Sequence, residues 1–301
     1  MKILKKKAVV TGGAGFIGSH LVRALLEKGY TVSVIDSLVA GNRENVPTEV
    51  QLHVIDVRNK ELLPELLEGA DTVFHLAALP RVEYSIQNPV ETHEVNVTGT
   101  VNILSAVDKK TRIVLASSAA VYGDTESVLL SENLPVAPVS PYGLHKYVSE
   151  QYLALVNKIY GIQTVSLRFF NVYGSGLDPD GPYALVIGKF LKLLKEGKPL
   201  TITGDGKQTR DFINVRDIVS ALIAAGESQS VGNGEVINIG TGKGTSVNEL
   251  ADIFGGKREY IPARIEPRAS VADISIAKKL LNWEPSVSLK DGIAELKKEF
   301  L

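Results

Sequence analysis

Between Ala8 and about Leu167, short apolar runs alternate with longer stretches of helical spacing. The runs Ala8 to Thr11, Thr31 to Ile35, Gln51 to Ile55, Thr72 to Leu76, Arg112 to Ala116 and Thr164 to Leu167 read as buried strands. After the first, Phe16, Ile17, Leu21, Val22, Leu25 and Leu26 fall at helical spacing, and Gly29 is a stop signal. Further helices are predicted over Pro89 to Ala106 and Tyr142 to Tyr160. Such alternation gives a parallel sheet covered by helices on both faces.

After Asn171 the pattern changes to loops rich in glycine and proline, among them Gly174, Gly176, Pro179, Gly181 and Pro182. The expected organisation is a first domain over 1–170 and a second, less regular one over 171–301. Within the second, Leu200 to Thr203 and Thr209 to Val215 resemble two strands joined near the Asp205-Gly206 turn. A segment near 211–240, with Gly234 to Ile239 as a strand, is expected to return to the first domain.

A chain of 301 residues, 44% apolar and 22% charged, suffices for one large core or two modest ones, as in a soluble globular protein. Its formal net charge of −1, with both signs spread along the chain, gives no basic face for nucleic acid and no polybasic run for a membrane surface. Small molecules are the expected partners. Apolar runs stop well short of the ~18 residues of a spanning helix. Met1 to Lys7 leads straight into a strand with no signal-peptide layout, so a cytoplasmic location is expected. The absence of cysteine excludes disulfides, thiolate nucleophiles and Cys-based metal sites. His20, His53, His75 and His93 lack metal-ligand spacing and read as packing or surface residues, so no metal is expected.

The candidate chemistry begins where the first strand gives way to a helix, at Thr11-Gly12-Gly13-Ala14-Gly15-Phe16-Ile17-Gly18. Glycines there let the backbone turn tightly and approach a pyrophosphate, while the helix N-terminus supplies N–H donors and the positive end of its dipole. Asp36 ends the second strand 18 residues after Gly18. A carboxylate there accepts the ribose hydroxyls of an adenosine and repels a 2′-phosphate, which favours NAD over NADP. The expected fold is therefore α/β, a Rossmann-type doubly wound parallel sheet with a smaller, irregular α/β substrate domain. Asp56-Val57 and Leu76-Ala77-Ala78 lie at later strand ends, where an Asp can reach the adenine amino group and small residues admit backbone to the cofactor.

Ser117-Ser118 follows the fifth strand, and Tyr142 and Lys146 share one face of the helix opened by Pro141. A free phenol titrates near ~10, so a tyrosine base needs nearby positive charge, which Lys146 and an oxidised nicotinamide ring supply. Tyr142 then takes a hydroxyl proton as hydride leaves the same carbon, and Ser118 hydrogen-bonds the reacting oxygen. His145, between the two, is assigned to another face of the helix, as a surface or interface residue.

Residues 11 to 18, Phe-His-Leu-Ala-Ala (74 to 78), Ser-Ser-Ala-Ala-Val-Tyr-Gly (117 to 123) and Ser-Pro-Tyr-Gly-Leu-His-Lys (140 to 146) resemble the extended short-chain dehydrogenase/reductase superfamily, and within it the UDP-glucose 4-epimerase family. The resemblance continues through Leu-Arg-Phe-Phe-Asn-Val-Tyr-Gly (167 to 174), residues 204 to 217 and Ala-Asp-Ile-Ser (272 to 275), across essentially the whole chain. It implies that Gly12, Gly15, Phe16, Ile17, Gly18, Asp36, Ser37, Gly41, Asp56, Val57, Leu76, Ala77, Ala78, Asn96, Ser118, Tyr142, Lys146 and Phe170 contact the cofactor. It assigns Ser118, Tyr142, Asn171, Val186, Thr201, Thr203, Arg210, Arg264, Glu266 and Ser270 to the UDP-sugar, with Asn171 and Arg210 on the diphosphate. It also implies a homodimer built from helices near residues 90 to 107 and 142 to 160.

Related nucleotide-sugar dehydratases carry an Asp-Glu pair just before Val-Tyr-Gly, and decarboxylating relatives keep the Glu; this chain has Ala119-Ala120. Without those carboxylates the chemistry that remains is removal and return of one hydride. The resemblance thus implies NAD-dependent epimerisation at C4 of UDP-glucose and UDP-galactose through a 4-keto intermediate. A bulky residue in the family narrows the sugar pocket where this chain has Ser270, so the N-acetylated pair is expected to be accepted too. Alternatives are a 4-epimerase of another nucleotide sugar such as UDP-glucuronate, and a non-catalytic NAD-binding scaffold, against which Ser118, Tyr142 and Lys146 together argue.

Overall fold

The computed structural model describes residues 5–125, 127–179, 185–263 and 269–301. In chain order its strands are β1 (Lys7–Thr11), β2 (Thr31–Asp36), β3 (Gln51–Val54), β4 (Thr72–His75) and β5 (Arg112–Ser118). There follow β6 (Leu129–Leu130), β7 (Gln163–Phe169), β8 (Asn171–Tyr173), β9 (Leu200–Thr203) and β10 (Thr209–Arg210). The last are β11 (Phe212–Asn214), β12 (Asn233–Ile239), β13 (Thr245–Ser246), β14 (Arg258–Ile261) and β15 (Ala269–Ala272). The helices are α1 (Phe16–Glu27), α2 (Leu63–Leu67), α3 (Val82–Gln87), α4 (Pro89–His93), α5 (Gly99–Ala106) and α6 (Pro141–Tyr160). The C-terminal part adds α7 (Leu185–Lys195), α8 (Val215–Glu227), α9 (Val247–Phe254), α10 (Ser275–Leu281) and α11 (Leu289–Phe300). None of the described helices is long and apolar enough to cross a membrane.

Seven strands pair in parallel in the order β12-β7-β5-β4-β1-β2-β3. Their apolar runs are continuous because helices cover both faces, leaving almost every side chain of β1, β4, β5 and β7 buried. The order reverses between β1 and β4, and a crevice opens beyond the strand ends at such a switch point. One core joins α1, α8 and the sheet through Leu21, Leu25, Phe74, Leu167 and Leu222, and Leu281 and Trp283 from the C-terminal part pack into it as well. On the other face Val9, Ile35, Leu63, Leu67 and Ile103 form a second cluster. A third, around Phe190, Ile202, Phe254 and Leu296, holds the smaller C-terminal layer together.

Two expected elements differ. The helix predicted over 89 to 106 is interrupted by a π turn at Glu94–Thr98 between α4 and α5. The segments around Asp205-Gly206 do not form a hairpin: β9 pairs with β14, while β10 pairs with β13 and β15. The predicted strand 209 to 215 breaks at Asp211 and ends where α8 begins at Val215. The buried Asp211 carboxylate accepts the N–H groups of Thr241, Gly242 and Ala272 and the Thr241 hydroxyl, tying distant loops to this bend. Those bonds, made over 30 or more residues, override the local turn signal.

Candidate active site

Gly12 turns the chain out of β1 with φ of +72°, and a Cβ on it would lie 2.7 Å from the Ala77 nitrogen. A Cβ on Gly18 would lie 2.1 Å from the Gly12 carbonyl oxygen. These glycines bring the ends of β1 and β4 and the start of α1 together, whereas Gly15 meets only that carbonyl oxygen, at 3.3 Å. Gly15 caps α1 without a side chain, and no acidic residue lies in the first turn, so the helix's own cap and first turn leave the positive end of its dipole open to an anion.

Gly12, Gly15, Asp36, Ser37, Gly41, Asp56, Val57, Leu76, Ala77 and Ala78 line one cleft at this switch point. Asp36 is fixed there by the N–H groups of Ala14 (2.9 Å) and Leu38 (2.8 Å), and each of its oxygens keeps a lone pair for another donor. A cleft with small walls, an uncapped helix start and one anchored carboxylate fits a dinucleotide. Asp56 is drawn aside by Arg58, which also reaches Glu94; the guanidinium bonds hold the Asp56 carboxyl below its ordinary value. Phe16 is buried and Ile17 half-buried on α1.

Asn96 sits in the π turn, 2% exposed, with its amide on the backbone of Leu79 (2.7 and 3.1 Å). It shapes the cleft through Leu79, which lines the wall. Phe170 is buried among Val121, Tyr122 and Leu130, beyond the end of β7.

The catalytic helix is aimed from its first turn. Ser140 accepts the N–H of Gly143 as N-cap (3.1 Å), Pro141 opens the helix, and the Ser85 hydroxyl accepts the N–H of Tyr142 (3.1 Å). Tyr142 thereby faces Ser118 at the end of β5. Burial pushes its phenol up to about 12, and the hydrogen bond with Ser118 works in the opposite direction. Lys146, also buried, donates to the Ala116 carbonyl at 2.7 Å and lies 5.9 Å from the Tyr142 ring centroid. Burial draws its ammonium down to about 8, against the attraction of Glu150. The half-buried Ala119 and Ala120 follow Ser118, so no carboxylate enters from that turn.

Beneath the pair, His75 bridges Thr11 (2.7 Å) and Thr100 (3.0 Å). Since the Thr11 oxygen accepts the Ala77 N–H and the Thr100 hydroxyl donates to the Asn96 carbonyl, His75 accepts at Nδ1 and donates from Nε2. Burial, then Lys146, hold it neutral, down to about 3. It is a satisfied core histidine. His145 is not at the surface: three residues after Tyr142 it lies about 60° around the helix, 5% exposed, edge-on to His93 at 5.3 Å.

The substrate candidates lie across the C-terminal layer. Asn171 on β8 donates its amide to the Asp211 carbonyl, and Arg210 on β10 is paired in register with Ser270 on β15. Thr201 and Thr203 alternate with buried Leu200 and Ile202 on β9, and Val186 is on α7. Arg264 and Glu266 fall outside the described residues. Sequence patterning missed Ser85, Gly143 and Glu150; the last was legible as the next turn on the Tyr142–Lys146 face, whereas Ser85 carries no local signal.

A glycine turn at the switch point of a doubly wound sheet, with Ser118, Tyr142 and Lys146 gathered beyond the next strands, defines an extended short-chain dehydrogenase/reductase. The NAD dependent epimerase/dehydratase family matches residues 8–240, and the chain belongs to that family, with NAD as its cofactor. It is 44% identical over 297 residues to a putative UDP-glucose 4-epimerase of Methanocaldococcus jannaschii, covering 95% of each chain. Its fold matches that of the UDP-N-acetylglucosamine 4-epimerase of Methanobrevibacter ruminantium M1, solved with UDP-N-acetylmuramic acid (TM-score 0.91, 34% identity, 98% of each chain). It also matches the UDP-glucuronic acid 4-epimerase of Bacillus cereus, solved with UDP-glucuronic acid and NAD (TM-score 0.88, 34% identity, 98% of each chain). These three relatives carry the names of UDP-sugar 4-epimerases, and the chain is an NAD-dependent epimerase.

Proposed function

We propose that the protein inverts C4 of a UDP-hexose, interconverting UDP-glucose with UDP-galactose and, in the same pocket, the N-acetylated pair. NAD, when bound, supplies a hydride acceptor that later gives the hydride back. Tyr142 takes the proton of the 4-hydroxyl, Ser118 holds the reacting oxygen, and Lys146 favours the phenolate. On the return step Tyr142 gives the proton back to the inverted alcohol. Asn171 and Arg210 hold the diphosphate while the sugar turns over, so binding remote from C4 keeps the ketone in the pocket. Thr201, Thr203 and Val186 flank the nucleotide in this reading, and Arg264 and Glu266 belong to the same nucleotide end.

The observation that carries the reading is Tyr142 on Ser118 with Lys146 one turn beyond and alanines at 119 and 120. That set moves one proton and orients one alcohol, and it holds no second acid for loss of water or carboxylate. UDP-glucose, UDP-N-acetylglucosamine and UDP-glucuronate, each incubated with the protein and with Tyr142→Phe, test it by product analysis. Turnover of the first two, abolished in the variant, is expected. Turnover of UDP-glucuronate alone, or full activity of Tyr142→Phe, overturns it.

We also infer that two copies pair through α6 and the segment around α4. Leu144, Tyr152, Leu155 and Ile159 form an exposed stripe along α6, continued by Val90 and Val139. An apolar stripe of that length is the mark of a covered face.

A further inference from the structure

Glu150 and Arg168 form an ion pair with both side chains almost fully buried: Arg168 Nη2 is 2.7 Å from Oε2 and Nε 2.9 Å from Oε1 of Glu150. A buried pair is weak evidence of added stability, because desolvation of two charges offsets their attraction. Its placement gives it another role. Glu150 is one helical turn beyond Lys146 and two beyond Tyr142 on α6. Three successive residues of β5 engage these three side chains: the Ala116 carbonyl takes Lys146 (2.7 Å), the Ser117 hydroxyl donates to Glu150 (2.5 Å), and Ser118 meets Tyr142. Arg168 lies opposite Ser117 in the pairing of β5 with β7, and its guanidinium stacks on the Tyr122 ring at 4.7 Å. The Tyr122 hydroxyl donates to Asn238 on β12 at 2.7 Å, so the pair is tied into three strands of the sheet.

We propose that Glu150 is a positioning residue of the reaction: anchored by Ser117 and Arg168, it sets the register of α6 on β5 and keeps Lys146 charged beside Tyr142. This rests on Tyr142 acting as the base. Glu150 touches neither Tyr142 nor the cleft, and its effect passes through Lys146, whose ammonium it attracts. In the dry interior such an attraction is weakly screened.

Glu150→Gln alone leaves Arg168 buried and unpaired and can unfold the chain. The informative variant is Glu150→Gln with Arg168→Met, which removes both charges at similar volume. Made as holoenzyme, it is compared with wild type by the pH profile of kcat on UDP-glucose. A substrate-free ultraviolet difference titration of the Tyr142 phenol, using Tyr142→Phe in each background as the blank, is run in parallel.

The expected result is a folded, NAD-retaining protein with KM within about twofold, kcat at neutral pH down by about tenfold or more, and the Tyr142 titration moved up by about one pH unit. Adding Lys146→Met should abolish the effect of the Glu150 change, since the two act through one group. An unmoved titration, or a loss that simply multiplies with that of Lys146→Met, overturns the proposal and leaves the pair a structural clamp. An active Tyr142→Phe overturns instead the assignment of the base, so the two failures are told apart.

Discussion

A Cβ on Gly143 would sit 2.5 Å from the carbonyl oxygen of Ala120. The first turn of α6 therefore rests directly on the short helix that follows Ser118, next to the point where Tyr142 meets Ser118. Gly143→Ala must push the two apart. A displacement approaching 1 Å costs on the order of 100-fold in rate, whereas the helix itself tolerates alanine better than glycine. We expect kcat to fall by about that factor while the melting temperature changes by only a few degrees. A variant with full activity would mean that the contact relaxes without moving Tyr142.

The neutral His75 makes the fold acid-sensitive. Its folded-state value lies near 3, below the ordinary 6.5, so between these values the unfolded chain binds a proton that the folded chain does not. Stability from this group is complete above about pH 6.5 and falls as pH drops, by about 1.4 kcal/mol per unit. The displacement of the urea midpoint between pH 7 and pH 5, measured with saturating NAD, should shrink in His75→Gln. An equal displacement in the variant would assign the acid sensitivity to other groups.

The central sheet was legible because its strands are buried on both faces and read as unbroken apolar runs, and Gly12 to Gly18 with Asp36 marked the cleft because a close backbone approach admits so few residue types. The Asp205-Gly206 turn misled because the partners of β9 and β10 come from about 35 to 60 residues further on, and Asp211 ties the loops beside β10 to Thr241, Gly242 and Ala272; no local spacing carries that. The reading of His145 as a surface residue failed because 3.6-residue periodicity leaves a position at i+3 beside the buried stripe, and the packing of His93 that buries it is a tertiary fact. Asn96 stood in a readable helix, but the π turn that bends it toward Leu79 has no sequence signature.

Ser270 is half-buried on β15, beside Arg210 on β10. If a small side chain here gives an acetamido group its room, Ser270→Tyr should lower kcat/KM for UDP-N-acetylglucosamine by roughly 10–200-fold, the range of a lost pocket contact. UDP-glucose should change by less than about threefold. The backbone bond from Asp211 N–H to the Ser270 carbonyl does not involve the side chain, so the strand should hold. Equal losses on both sugars would place Ser270 away from the acetamido position.

The exposed stripe on α6 has a consequence that mass measurement reads directly. Leu155 and Ile159 are 48% and 57% exposed in the single chain and lie on one helical face with Leu144 and Tyr152. Burying an aliphatic side chain of this size contributes about 1.5–3 kcal/mol, so covering the stripe in a symmetric pair yields a stable interface, with the same patch meeting itself. Light scattering on the wild type should give twice the chain mass. Leu155→Glu with Ile159→Glu places two like charges on each side of that patch and should give the single-chain mass with the near-ultraviolet spectrum of the fold retained. Because the opposite face of α6 carries Tyr142, Lys146 and Glu150, the separated chains should also lose activity through loosening of that helix, and a monomeric wild type would remove the interface altogether.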